Sequence, residues 1–193
     1  MAVKRAVRIY ARPDARRASR VLPNPIQDGK PLVFLVSRSV PGWLQVYLPV
    51  RPNQSKGWVR ADAVKLRLDP FRLQVNLHAH RLTVWRLEKV IDRLPIAVGT
   101  HGTPTPGGVY YLAELYPVSD PTGPYGPYAF GLSAYSNVLH SFAGGPGQVA
   151  IHGTNDPSSI GSDVSHGCIH LNNRAISRLA HELPLGTTVR ILA

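Results

Sequence analysis

Apolar and polar residues alternate along this chain in short runs, and proline or glycine closes nearly every run. A period of two places one side of each run on a core and the other toward water. Such runs predict half-buried strands rather than helices. Ala6 to Tyr10, Leu32 to Val36, Trp43 to Leu48 and Gly57 to Val64 come first. Phe71 to Leu77, Arg81 to Leu87, Val90 to Val98, Val109 to Leu115, Gln148 to Ile151 and Thr187 to Leu192 follow. With 18 prolines and 17 glycines in 193 residues, long helices have little room. One stretch differs: Ile176, Leu179, Ala180 and Leu183 recur at helical spacing, Asn172 or Asn173 can cap it, and Pro184 and Gly186 stop it. The expected class is mainly β with one helix.

Charge divides the chain. Residues 1–67 carry 14 Lys/Arg against 3 Asp/Glu, whereas residues 68–193 carry 8 of each, so the whole net charge of +11 lies in the first third. That asymmetry predicts two modules with different partners, meeting near Leu66 to Pro70. The first, 1–67, reads as a small β-barrel of short strands. Its basic surface suits anionic polymers or phosphate-rich surfaces. Its aromatic residues read as barrel core rather than as stacking platforms, which disfavours nucleic acid. No run of about 18 apolar residues is present to span a membrane, and Met1 to Val7 lacks the apolar segment of a signal peptide.

The segment from Tyr116 to Gly147 is the least regular. It holds prolines 117, 121, 124, 127 and 146, six glycines and six aromatic residues. Long segments of this kind are usually functional, and buried aromatics argue against disorder. It reads as a partly structured lid over about 116–147, with Tyr125, Tyr128, Phe130 and Tyr135 available to wall a cleft.

The chemistry concentrates between His152 and His170. This stretch holds the only cysteine, Cys168, and three of the eight histidines, within His152-Gly153 and Ser165-His166-Gly167-Cys168-Ile169-His170. A thiol becomes a strong nucleophile when a neighbour takes its proton, and imidazole titrates in the right range. Gly153 and Gly167 lie where backbone must approach a substrate closely. A metal site of His152, His166, Cys168 and His170 is the rival reading, although Cys-x-His is not a common zinc spacing. A catalytically silent binding module is a second rival.

His-Gly followed after a spacer by Ser-His-Gly-Cys resembles the signature of the L,D-transpeptidases, the YkuD-type catalytic domain of bacterial cell-wall enzymes. Thr103-Pro-Thr-Pro-Gly-Gly-Val-Tyr110 resembles that family's Thr-Pro-x-Gly-x-aromatic stretch, and the likeness runs from about Leu68 to Ala193. Gly42-Trp43 to Val46 and Gly57-Trp58-Val59 resemble a bacterial SH3-like (SH3b) domain. The resemblance implies a YkuD-type β-sandwich with one helix after the cysteine, behind the SH3-like barrel. It implies that Cys168 attacks the carbonyl of the third residue of a peptidoglycan tetrapeptide stem and releases D-alanine. The thioester then passes to an acceptor amine, giving a 3→3 cross-link. Water as acceptor would make an L,D-carboxypeptidase.

His152 would be the general base, oriented by the Gly153 carbonyl. The backbone N–H groups of Gly167 and Cys168 would form the oxyanion hole, and His166 would bear on the thiolate or hold the loop. Ser165, His170, Tyr128 and Tyr135 are expected along the substrate, Ser165 by fixing the loop through hydrogen bonds. Family members commonly have Arg or Asn where this chain has His170, so the grip on a substrate carboxylate is expected to differ. No cofactor and no metal are needed. Such an enzyme works outside the cytoplasmic membrane, in the periplasm or cell wall, so its export signal or anchor is expected to lie outside this sequence.

Overall fold

The computed structural model describes all residues from Met1 to Ala193. The first five strands are β1 (Ala6–Ile9), β2 (Arg20–Pro23), β3 (Val36–Val40), β4 (Trp43–Tyr47) and β5 (Lys56–Arg60). β1 and β2 pair as an antiparallel ribbon, and β3, β4 and β5 form a second antiparallel sheet. A bridge between Tyr10 and Trp58 joins the two. Alternation does the sorting: Val7 and Ile9 turn inward while Ala6 and Arg8 face water. Val7, Ile9, Leu32, Phe34, Leu44, Val46 and Val59 are among the residues of a core of their own. The indole N–H of Trp43 donates to Asp14 Oδ1 at 3.3 Å, and Tyr10 meets the same ring edge-on.

Ten more strands follow: β6 (Phe71–Asn76), β7 (Arg81–Arg86), β8 (Lys89–Pro95), β9 (Val98–Gly99), β10 (Gly108–Pro117), β11 (Tyr128–Tyr135), β12 (Gln148–His152), β13 (Asp163–Ser165), β14 (Ile169–His170) and β15 (Thr188–Leu192). Helix α1 (Asn173–Glu182) lies between β14 and β15. Eight of these strands make one sheet in the order β14-β12-β11-β10-β15-β6-β7-β8. β10 pairs with β15 through Tyr111 and with β11 from Leu112 onward, with an irregularity between Leu112 and Glu114. Bulges of this kind bend a strand. Just after β8, Ala97 bridges to His170 of β14, the strand at the opposite end of the order. Where the resemblance implied a sandwich of two sheets, a single sheet curls until its ends meet.

The larger core fills that curl. Leu73, Val75, Leu82, Val84, Tyr110, Phe130, Leu132, Ile151, Ile169 and Val189 belong to it. α1 adds Ala175, Ile176 and Leu179 from one face, the i, i+1, i+4 pattern of an amphipathic helix. Asn172 Oδ1 caps the helix by accepting the Ala175 N–H at 2.8 Å. Asn173 takes a different task, accepting the Thr154 N–H at 2.9 Å and so tying the helix to the chain beyond His152.

The lid expected over 116–147 is not one element. Tyr128–Tyr135 forms β11, an interior strand between β10 and β12 with Phe130, Leu132 and Ala134 buried. Its period-two pattern of Phe130, Leu132 and Ala134 outweighs the flanking prolines, which cluster before it. What remains is two separate loops, 118–127 and 136–147.

Candidate active site

β12 and β14 run parallel as neighbours, with Ile151 opposite Ile169 and His152 opposite His170. The two strands therefore bring the first and last residues of the motif together, although 18 positions separate them along the chain. Cys168 stands one residue before β14. The Ala150 backbone lies close enough to favour its thiolate, while burial, the larger influence, pushes the thiol above its ordinary value.

His152 is 3% exposed. Its Nδ1 lies 2.6 Å from the Gly153 carbonyl, and a carbonyl only accepts, so Nδ1 carries the proton and Nε2 keeps its lone pair. Burial first, and then His170, lower its pKa from 6.5 to about 4, against an opposite pull from the Gly153 carbonyl. The rings of His152 and His170 lie 4.5 Å apart, and Tyr125 stands edge-on to His152 at 4.9 Å. The imidazole and the thiol thus both rest neutral near pH 7.

Gly153 has a second part. A Cβ there would collide with Asn173 Oδ1 and stand 2.9 Å from the Gly126 Cα. Gly126 in turn has a φ of +62°, and a Cβ on it would lie 2.7 Å from the Gly153 Cα. The two glycines allow the loop that bears Tyr125 to rest directly on the backbone beyond His152.

Ser165 is buried and spends both of its contacts inside the loop. Its hydroxyl donates to the Cys168 carbonyl at 2.5 Å and accepts the Gly167 N–H at 3.0 Å. Its own carbonyl accepts from the Thr100 N–H and the Thr103 hydroxyl. Ser165 is therefore a loop clamp. The same bond bears on the expected oxyanion hole. Gly167 N–H is already committed to Ser165, whereas Cys168 N–H has no partner in the protein. Gly167 has a φ of +112°, a left-handed turn that a side chain would strain. That turn presents Cys168.

His166 is exposed, with its ring stacked on Phe142 at 5.0 Å. His170 is half-buried, its Nδ1 enclosed without a hydrogen-bond partner, and burial followed by His166 lowers its pKa. Cys168 and His166 line a crevice with Ser136, Leu139, Phe142, Gly147, Gln148 and Val149.

The side chains of two expected substrate residues have partners of their own. Tyr128 packs edge-on against His181 of α1 at 5.6 Å. Tyr135 donates its hydroxyl to the Pro49 carbonyl at 3.0 Å and lies beneath the Arg51 guanidinium. They are the two end residues of β11. The aromatic residues that do reach the site, Tyr125 and Phe142, come from the loops on either side of that strand. Asp156 accepts the Ser158 N–H as a turn residue does, whereas Asp163 opens β13 and pairs with His80.

Residues 70–191 match the YkuD family, described as the L,D-transpeptidase catalytic domain. This chain belongs to that family. The YkuD protein of Bacillus licheniformis is 38% identical over 122 residues, covering 63% of this chain and 66% of that protein. The YkuD protein of Bacillus subtilis is 37% identical over 122 residues, with the same shares. The matched region thus spans just under two thirds of these relatives' length. Among solved structures, one from Bdellovibrio bacteriovorus aligns with a TM-score of 0.51 and 26% identity, covering 64% of this chain and 48% of that one. L,D-transpeptidase 3 from Mycobacterium tuberculosis, in complex with a faropenem-derived adduct, aligns at 0.55 with 13% identity, covering 84% and 94%. That last likeness is one of fold.

Proposed function

We propose that this YkuD-family chain is a cysteine-dependent peptidoglycan L,D-transpeptidase. The observation that carries the reading is the tautomer of His152: Nδ1–H is spent on the Gly153 carbonyl, leaving Nε2 as base for the thiol just ahead of the adjoining strand. As Cys168 Sγ bonds to the carbonyl carbon of the third stem residue, its proton passes to His152 Nε2. That proton goes on to the departing amine as the peptide C–N bond breaks and D-alanine leaves. An acceptor amine then attacks the thioester, the S–C bond breaks, and the thiol regains a proton. The Cys168 N–H faces no competitor for the developing oxyanion. His170, neutral at pH 7 because burial lowers its pKa, offers a hydrogen bond rather than a full charge to a substrate carboxylate.

Residues 1–67 are proposed as an SH3-like unit ahead of a catalytic unit over 68–193. Arg5, Arg8, Arg12, Arg16, Arg17 and Arg20 are all exposed on or beside β1 and β2, a surface suited to anionic wall polymers. The proposed setting is extracytoplasmic, in the periplasm or cell wall. No helix is long and apolar enough to cross a membrane.

The test is intact-mass measurement after incubation with a carbapenem, beside a Cys168→Ala variant. A stoichiometric adduct on the parent and none on the variant is the expected result. No adduct on a free, metal-free thiol would sink the acyl-transfer reading in favour of a wall-binding module. Supplying tetrapeptide stems with and without an acceptor amine then separates cross-linking from hydrolysis.

A further inference from the structure

The crevice beside Cys168 has a wall that the catalytic strands do not hold up. Ser136, Leu139, Phe142 and Gly147 all come from loop 136–147. Within itself this loop makes few bonds. Ser136 N–H donates to the Gly147 carbonyl, Phe142 and Gly145 exchange a pair of backbone bonds, and Ser136 Oγ accepts from the N–H groups of Val138 and Leu139. Its carbonyls look the other way, toward the turn between β4 and β5. There Arg51 Nη1 donates to the Ser136 carbonyl at 2.9 Å, and Nη2 donates to Leu139 at 3.0 Å and Pro146 at 2.9 Å. One half-buried guanidinium gathers the two ends and the first bend of the loop, and no carboxylate competes for it.

The neighbours of Arg51 extend the same grip. Asn53 imitates a strand partner for Tyr135, accepting its N–H at 2.9 Å and donating to its carbonyl at 2.7 Å. The Arg51 guanidinium also lies 4.9 Å from the Tyr135 ring centre. Gly147 has a φ of +70°, and a Cβ on it would run into the Leu139 carbonyl and lie 3.1 Å from Arg51 Nη2. The ends of the loop close up where only glycine fits. At the far end, Phe142 rests on His166, two residues from the nucleophile.

We propose that Arg51 is a positioning residue for substrate: by holding three carbonyls of loop 136–147, it fixes the Phe142–His166 wall of the Cys168 crevice. The basic first third of the chain thereby shapes the reaction groove, whatever its outer face binds. This rests on the acyl-transfer reading for its kinetic consequence, and on geometry alone for the anchoring. Lysine keeps the charge but cannot reach three carbonyls in a planar fork.

The experiment uses the full chain with Arg51→Ala and Arg51→Lys. Amide exchange is followed over 136–147, and steady-state kinetics are measured on a tetrapeptide stem with an acceptor amine. With a charged anchor of three bonds removed, exchange in the loop should quicken roughly tenfold or more in Arg51→Ala. KM should rise by about the same factor while kcat stays within about threefold, with Arg51→Lys between the two. Exchange elsewhere in β10, β11 and β12 serves as the control for folding. Unchanged loop exchange in folded Arg51→Ala would overturn the proposal, as would faster exchange with KM and kcat both at parental values. A parent that transfers no peptide, while its Arg51→Ala variant shows the loosened loop, would leave the anchoring standing and bring down the acyl-transfer reading instead.

Discussion

Acid should destabilise this fold through His152 in a measurable way. The ring is 3% exposed, between Tyr125 and His170, and its pKa falls from 6.5 to about 4. Between those values an unfolded chain protonates His152 and the folded one does not, so the unfolded state gains protons as pH falls. The stabilising contribution is complete above 6.5 and is lost on the way down to about 4. At about 1.4 kcal/mol per pH unit, the gap from 6.5 to about 4 amounts to about 3 kcal/mol. That is a large share of the roughly 5–15 kcal/mol that holds a domain together. The assay is denaturant unfolding of the parent and His152→Gln at steps from pH 7 to pH 4, with the His152 ring resonance followed by NMR. The parent should lose about 3 kcal/mol more than the variant, in which His170 retains its own slope. A His152 midpoint at or above 6 would refute the reasoning, because the burial and the His170 contact that drive the shift would then not be as described.

Three further outcomes are expected. Ser165→Ala removes the partner of Gly167 N–H and of the Cys168 carbonyl; it should cost about 1–3 kcal/mol in thermal or chemical unfolding and slow acylation. Gly153→Ala drives a methyl group into Asn173 Oδ1 and the Gly126 backbone, for a loss of about 1–3 kcal/mol; carbapenem acylation measured by mass should fall with it. Alkylation of Cys168 by iodoacetamide should be slow at pH 7 and keep rising past the ordinary thiol midpoint, since burial pushes the thiol up. A fast, pH-independent reaction near neutrality would contradict a neutral resting pair.

Periodicity and punctuation carried most of the strands, and the helix stood out through Ile176, Leu179 and Leu183 with Asn172 ahead of it. The motif from His152 to His170 was legible because its residues are close in sequence and rare in type. β11 was not, because prolines 117, 121, 124 and 127 mask the alternation that begins at Tyr128. Tyr125 was one of several equivalent rings in a loop, and only the contact between Gly126 and Gly153 selects it. The commitment of Gly167 N–H to Ser165 depends on a backbone turn that no residue type announces. Arg51 was one more arginine among many. Its bonds reach 85 or more residues along the chain and end on carbonyls, which every residue possesses.

The place of β15 in the sheet has a consequence for how the molecule comes into being. It follows every other strand in chain order, yet it lies between β10 and β6, antiparallel to one and parallel to the other. Without it, β6 to β8 on one side and β10, β11, β12 and β14 on the other are two half-sheets with no shared edge inside that sheet. Contacts between residues so distant in sequence form late, because loop closure must come first. Within the sheet, residues 188–192 are thus the seam that joins the two half-sheets, while the Ala97–His170 bridge closes the curl at its opposite edge. A cut before Thr188 should therefore leave β10 and β6 each with a bare edge. One short strand thus carries the continuity of the whole sheet.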